Sequence, residues 1–328
     1  MNRRETMAML LVLVAAAGPL VSFAQDFPTK PVRMITAFEA GGTVDVIGRV
    51  VANQINRASA MRIVADNKPG ANSAIGAMEV ARAAPDGYTV LNISPSIVLN
   101  PLLSKSVAYD LFRDFVAVTI LGVGSGYLLV VREGLPAKNL NELVALARKS
   151  ESAKTELTYG TPGIGNALHL ATETFANKAG VRLLHIPYKG SAGALAAIAA
   201  GQVDIMVLSP ATVAPYLKAG KIRLIAFTGS GRSPEYPEVP TMAEAGIPDF
   251  VMRGTWVGWF VPAKTPPQVV TRLAEEVRKA VHDPEVTAKL AAGGFEPDGR
   301  PPAETLRFVR AESQRYGEVL RSAKIELQ

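Results

Sequence analysis

Short β-rich apolar runs alternate with segments of helical period from residue 31 onward, and no other feature narrows the possible folds as much. Residues 32–38 read as a buried strand; Gly41-Gly42 breaks it, and Thr43 is the expected N-cap of the following helix. In that helix Ile47, Val50, Val51 and Ile55 share one face. Residues 62–65 and 88–93 read as strands. Between them lie a Lys68-Pro69-Gly70 loop, a helical stretch with Ile75, Met78 and Ala81, and a Pro85-Asp86-Gly87 turn. The second half repeats the rhythm, with strands predicted at 127–131, 157–159, 185–188, 203–208 and 222–228. Its helices start at Asn139 (with Glu142 completing a capping box), after Asn166, at 191–200 and at 211–219. A strand at 256–261 and amphipathic helices at 268–282 and 304–323 close the chain.

Such alternation predicts an α/β fold, with parallel sheets covered by helices on both faces. Ligands of such sheets bind outside the carboxyl ends of the strands, where loops meet helix N-termini. Here those places are residues 38–45, 94–100, 159–166, 188–191 and 209–212, each rich in Gly, Ser, Thr or Asn. They converge on one cleft if two lobes face each other.

The N-terminus predicts export. Asn2, Arg3 and Arg4 precede an apolar run over 7–21, and Ser22-Phe23-Ala24 ends it with small residues where a signal peptidase reads. That run is short for a membrane span and is interrupted by Gly18-Pro19. Cleavage after Ala24 is expected. It leaves residues 25–328, a length that favours two lobes over one core, and no later segment reads as a membrane span. With no cysteine, disulfides, thiolate nucleophiles and Cys-ligated metals are excluded. The formal charge of +6 is spread along the chain without basic runs or aromatic interleaving, so a nucleic-acid partner is not expected.

Catalytic signatures are absent. His169, His185 and His282 form no metal-binding spacing, so neither metal nor cofactor is expected. There is no G-x-S-x-G elbow and no P-loop, and Gly122-Val123-Gly124-Ser125-Gly126 lacks the last glycine of the dinucleotide fingerprint. That run falls where a segment crossing between lobes is expected. Asp45 and Asp204 suit structural roles better than catalysis, Asp45 lying in a helix's first turn.

What the loops do offer is a grip for an anion. Free N–H groups at a helix start, approached closely past glycine, are preorganised donors. Gly41-Gly42-Thr43 supplies two such amides and a hydroxyl, and residues 161–166 supply a similar set from the second half.

The segment Phe38-Glu39-Ala40-Gly41-Gly42-Thr43-Val44-Asp45 resembles the first ligand loop of the Bug-type solute receptors of tripartite tricarboxylate transporters. Asn67-Lys68-Pro69-Gly70-Ala71, Pro85-Asp86-Gly87-Tyr88-Thr89, His185-Ile186-Pro187-Tyr188-Lys189-Gly190, Gly201-Gln202-Val203-Asp204, Lys218-Ala219-Gly220-Lys221-Ile222-Arg223 and Val239-Pro240-Thr241-Met242-Ala243-Glu244-Ala245-Gly246 match in the same order. The resemblance covers essentially the whole chain after Ala24. It implies a two-lobed type II periplasmic-binding-protein fold with parallel-rich sheets, helices on both faces and two crossovers between lobes. The first lobe would comprise 25–125 and 250–328, the second 126–249.

The same resemblance implies a small carboxylate held by Gly41, Gly42, Thr43, Asp45, Ser94 and Ser96 of one lobe and Thr161, Gly163, Gly165 and Asn166 of the other. It puts Trp256 at the family's usual tryptophan. Two departures stand out. Glu39 and Ala40 replace the family's usual prolines, and an acidic side chain beside an anion is unfavourable unless it points away or meets a cationic group on the ligand. Leu208 stands where relatives carry an acidic residue, which favours a ligand with an apolar or aromatic body. The expected protein is a periplasmic, monomeric receptor that captures a dicarboxylate or aromatic acid for membrane transport subunits. A receptor that signals to a sensor kinase and a carboxylate-acting enzyme are the competing readings.

Overall fold

The computed structural model describes residues 27–322; the leader reading of 1–24 lies outside them. In chain order, β1 (Val32–Thr36), α1 (Thr43–Ala58), β2 (Ile63–Asn67), α2 (Ala74–Ala81), β3 (Thr89–Ile93), α3 (Ser96–Leu103), α4 (Leu111–Asp114) and β4 (Phe115–Gly124) build most of a first sheet and its cover. A second sheet follows, from β5 (Leu128–Arg132), α5 (Leu140–Ser152), β6 (Thr158–Thr161), α6 (Ala167–Ala179), β7 (Leu184–Pro187), α7 (Ser191–Ala199), β8 (Ile205–Leu208), α8 (Pro210–Lys218) and β9 (Ile222–Phe227). The chain then returns through β10 (Trp256–Pro262), α9 (Pro267–Val281), α10 (Pro284–Ala292), β11 (Phe295–Pro297) and α11 (Pro302–Ser322).

The strand orders are β11-β4-β10-β3-β1-β2 and β7-β6-β8-β5-β9. The chain therefore passes between sheets twice, after β4 and after β9. The β1–β2, β1–β3, β6–β7 and β6–β8 pairs are parallel, as alternation requires. The sheets are nonetheless mixed. β10 runs antiparallel to β3 and β4, and β5 to β8 and β9. β11 is antiparallel to β4 as well; of the three reversed strands, β5 and β10 are the first after a crossover, where the chain enters a sheet from the opposite end.

The inner strands of each sheet are buried on both faces, whereas the edge strands β2 and β7 are partly exposed. α1 lays Ile47, Val51 and Ile55 on the first sheet, all essentially inaccessible, and each such side chain contributes about 1.5–3 kcal/mol of apolar transfer energy. β4, a ten-residue strand, went unread in the sequence because almost every position in it is buried, so it shows no alternation.

The two crossings run side by side. Gly124 N–H donates to Thr255 O at 2.7 Å and Gly254 N–H to Gly124 O at 3.1 Å. A Cβ on Gly254 would lie 2.7–2.8 Å from Gly124 backbone atoms, which cannot move aside. That contact accounts for Gly124, while a Cβ on Gly122 would press on Glu296 O and one on Gly126 on Phe227, so the glycine run at 122–126 lets neighbouring segments come close. Thr228 fastens the same place, its hydroxyl accepting from Tyr127 N–H and donating to Met252 O, both at 2.8 Å.

Candidate functional site

Between the sheets, close to the crossings, lies a small chamber of about 50 Å³. Five helix beginnings meet there: Thr43 of α1, Ser96 of α3, Ala167 of α6, Ser191 of α7 and Ser209, the cap of α8. Each brings the positive end of a helix dipole, although the first amides of α3 and α6 are already taken by Ser94, Pro95 and Asn166 and α8 begins with a proline. Phe38, Val44, Ser94, Tyr127, Asn166, Leu168 and Thr255 are among the other walls, and no charged side chain lines the space. The field is thus set by backbone and hydroxyls.

Of the expected ligand residues, Gly42, Thr43, Ser94, Ser96 and Asn166 line this chamber. Gly41, Asp45 and Thr161 do not, and Gly163 and Gly165 face a second, larger space at the mouth of the cleft. Thr43 is the first helical residue rather than the cap. Gly42 takes the cap position without a side-chain bond, and the Asp45 carboxylate reaches back to Gly41 N–H at 3.0 Å to do that work. Asp45 is otherwise held by Arg49 Nε at 2.9 Å and Asn67 Nδ2 at 2.9 Å. Burial alone would push its carboxyl up, but these three donors together outweigh burial and hold it below its ordinary value. Asp204 is likewise structural, accepting from Arg132 Nε at 2.8 Å and from both donors of Thr158 at 2.9 Å.

The turn at 161–166 is braced differently. Asn166 caps α6, accepting from Leu168 N–H at 2.9 Å and His169 N–H at 3.0 Å. Gly165 N–H donates to His169 Nδ1 at 3.0 Å, which places the imidazole proton on Nε2, toward Glu173 4.0 Å away. Thr161 donates to Gly163 O at 2.8 Å and lies 2.6 Å from His185 Nε2. Beneath the turn Tyr159, His185 and His169 form one stack, with centroids 4.7 and 4.2 Å apart and planes within 12°. Burial lowers both imidazoles to about 4, so both are neutral at ordinary pH. Gly165 has φ +75°, and a Cβ there would lie 2.6 Å from Leu103 Cδ1 of the other lobe, so this position combines a left-handed conformation with a tight seam.

Tyr127 and Thr255, at the crossings, were not foreseen as chamber walls; they reach it only because the two crossings lie side by side. Ser191 and Ser209 stood in loops expected at the cleft. Leu208 is buried in the second sheet and does not line the chamber. Trp256 is buried too, with Nε1 donating to Glu312 at 3.2 Å and its ring edge-on to Phe308. Glu39 is half-buried and off the chamber wall. Its carboxylate lies against Gly190 of the other lobe, where an added Cβ would come within 2.9 Å of Oε2.

The model of the tripartite tricarboxylate transporter family receptor matches residues 47–325. The chain belongs to that family. It is a family of receptors, not of enzymes. Among its members, BugT of Bordetella pertussis is 32% identical over the full length of both chains. The structure of Rpa4515 of R. palustris with adipate superimposes with a TM-score of 0.87 at 34% identity, over 92% of this receptor and all of that chain. MatC of Rhodopseudomonas palustris with bound malate gives 0.83 at 28% identity, over 90% and 100%. Among the described residues of this receptor, no cluster of three or more His, Asp or Glu side chains has metal-binding geometry, and no helix is long and apolar enough to cross a membrane.

Proposed function

We propose that this receptor is exported to the periplasm, closes over a small organic carboxylate in the chamber, and hands it to the membrane subunits of a tripartite tricarboxylate-type transporter. The convergence of five helix N-termini on a space without charged side chains carries this reading. Such a site holds an anion by preorganised amides and hydroxyls, and the uncharged walls leave the ligand's charge uncompensated by any fixed counter-ion. Gly42, Thr43, Ser94, Ser96 and Asn166 are the contact residues; Gly41, Asp45 and Thr161 shape the two grips from behind, and Gly163 and Gly165 face the larger space beside them. The lobes divide at 25–125 with 250–328 and at 126–249, consistent with the membership of the two sheets. The ligands bound by Rpa4515 and MatC, adipate and malate, support a carboxylate here; our reading is a dicarboxylate or an aromatic acid. A monomer is sufficient, since both halves of the chamber come from one chain.

A thermal-shift screen of aliphatic dicarboxylates, aromatic acids, amino acids and nicotinate-like compounds tests this. A true ligand at a hundred times its Kd stabilises by about 2.7 kcal/mol and is recovered unchanged. Thr43→Ala and Asn166→Ala should each weaken that shift. A flat screen, or turnover of the ligand by pure protein, overturns the proposal.

A further inference from the structure

Four successive residues at the mouth of the cleft hold a backbone conformation that most residues avoid. Gly70 has φ +124°, and Ala71, Asn72 and Ser73 follow at +46°, +48° and +78°. Single residues visit the left-handed region, but three in a row without glycine do so at a cost that grows with each. The turn carries a second cost: Asn72 Oδ1 and Ser73 Oγ are buried without a hydrogen-bond partner. Ala71 and Asn72 line the larger space, of about 1030 Å³, together with the apolar side chains of Ile75, Met78 and Leu103.

The turn is pinned from behind by α3. Asn72 Nδ2 donates to Asn100 Oδ1 at 2.7 Å, and Asn100 Nδ2 donates back to Asn72 O at 2.8 Å. Asn100 Nδ2 also reaches the Tyr109 hydroxyl at 3.3 Å, and that hydroxyl donates to Ile97 O at 3.2 Å. Because the Asn100 nitrogen is the donor on this side, its oxygen accepts, and Asn72 must present nitrogen to it. The unpartnered Oδ1 of Asn72 therefore points the other way, to the second lobe, where a Cβ on Gly163 would lie 3.7 Å from it. Leu103, one turn along α3 from Asn100, reaches the same loop, its Cδ1 2.6 Å from the place of a Cβ on Gly165. Between these two contacts lies Ile164, whose N–H donates to no protein group among the described residues.

We propose that the turn at 70–73 is a preloaded latch between the lobes. As the lobes draw together, Asn72 Oδ1 accepts the N–H of Ile164 and Leu103 seats over Gly165. Closure then satisfies a buried acceptor that the first lobe leaves empty, and so offsets part of the cost of the turn. The pin at Asn100 keeps the turn from relaxing by itself. None of Asn72, Leu103, Gly163, Ile164 and Gly165 lines the chamber, so the latch acts on the lobes rather than on the ligand and works whichever ligand is captured.

The chain has no cysteine, so Lys105→Cys on one rim and Lys189→Cys on the other, both exposed, carry a spin-label pair at unique sites. In the protein without ligand, the distance distribution of the pair reports the closed and open populations. A hydrogen bond made only in the closed form is worth about fivefold in their ratio. Asn72→Gly keeps a left-handed backbone and removes the amide; it should lower the closed-to-open ratio by about that factor and speed exchange of the Ile164 amide to match. Leu103→Ala, at a half-buried position, should lower the ratio too, and further in the double variant. Populations that Asn72→Gly leaves unchanged overturn the proposal even if its melting falls, because lost melting alone is what a merely local turn would give. An Ile164 amide that exchanges in the parent as fast as a free peptide overturns it as well, and that measurement needs no variant.

Discussion

The two grips face each other across one chamber and are braced by opposite means. On the first lobe, the Gly41–Thr43 turn is fixed by a carboxylate, Asp45, tied to a guanidinium, an amide side chain and a backbone N–H. On the second, the Thr161–Asn166 turn is fixed by two neutral imidazoles stacked on a tyrosine. A charged brace tolerates partial exposure, because water screens what the protein leaves uncompensated; Arg49 keeps 43% of its side chain accessible. A neutral imidazole brace works only where the ring cannot take a proton. The first grip therefore depends on a charge being kept, and the second on a charge being refused.

Acid should separate them, and with the largest effect. Each imidazole is lowered from 6.5 to about 4 in the folded protein, so between those values the unfolded chain binds more protons and stability falls as pH falls. His169 alone contributes up to about 3 kcal/mol over that span. A protonated His169 would also turn Nδ1 from acceptor to donor against Gly165 N–H. The groups facing the stack are Glu173 and the Tyr159 hydroxyl, and both are engaged with each other. Asp45, depressed below 3.8, keeps its charge throughout the same window, and its contribution is lost only in stronger acid. Hydrogen exchange at pH 7 and pH 4.5 should show the amides of 163–166 losing protection before those of 41–45. Simultaneous loss would mean the two braces are not independent.

Asp45→Ala comes next in size. It strips three donors of their acceptor, and with Arg49 partly solvated the expected loss is about 2 kcal/mol by urea denaturation. His169→Phe keeps the stack and removes only the acceptor for Gly165 N–H. A loss of about 1 kcal/mol is expected, with a shallower pH dependence than the parent between 4 and 6.5. An unaltered pH profile would assign the acid sensitivity elsewhere. The smallest effect is predicted for Glu39→Gln. Its carboxylate touches Gly190 but not the chamber, so ligand affinity should change less than about twofold. A large loss would place Glu39 in the grip after all.

Much of this was legible in the sequence. The strand–helix rhythm, the glycine-rich helix starts and Asn166 as a cap follow from rules that act within a few residues, and the ordered motifs follow from kinship. The mixed character of the sheets was not legible, since strand direction after a crossover is a property of topology. Nor was β4, whose burial on both faces erases the period that marks a strand. The roles of His169 and His185 lay out of reach as well: they sit 16 residues apart in sequence, and they meet only because β6–β7 pairing sets His185 beside Tyr159 while α6 packs His169 against it.

The sequence by itself determined that the chain would build loops able to hold an anion, because amide donors at a helix start need only a glycine, a cap and a helix. It did not determine which of those loops share a wall. Gly42, Thr43, Ser94, Ser96 and Asn166 came to line the chamber, while Gly163 and Gly165 came to face an apolar mouth. That division depends on how two lobes meet, a long-range packing outcome fixed where Gly124 and Gly254 let the crossings touch and where Leu103 fills the space over Gly165.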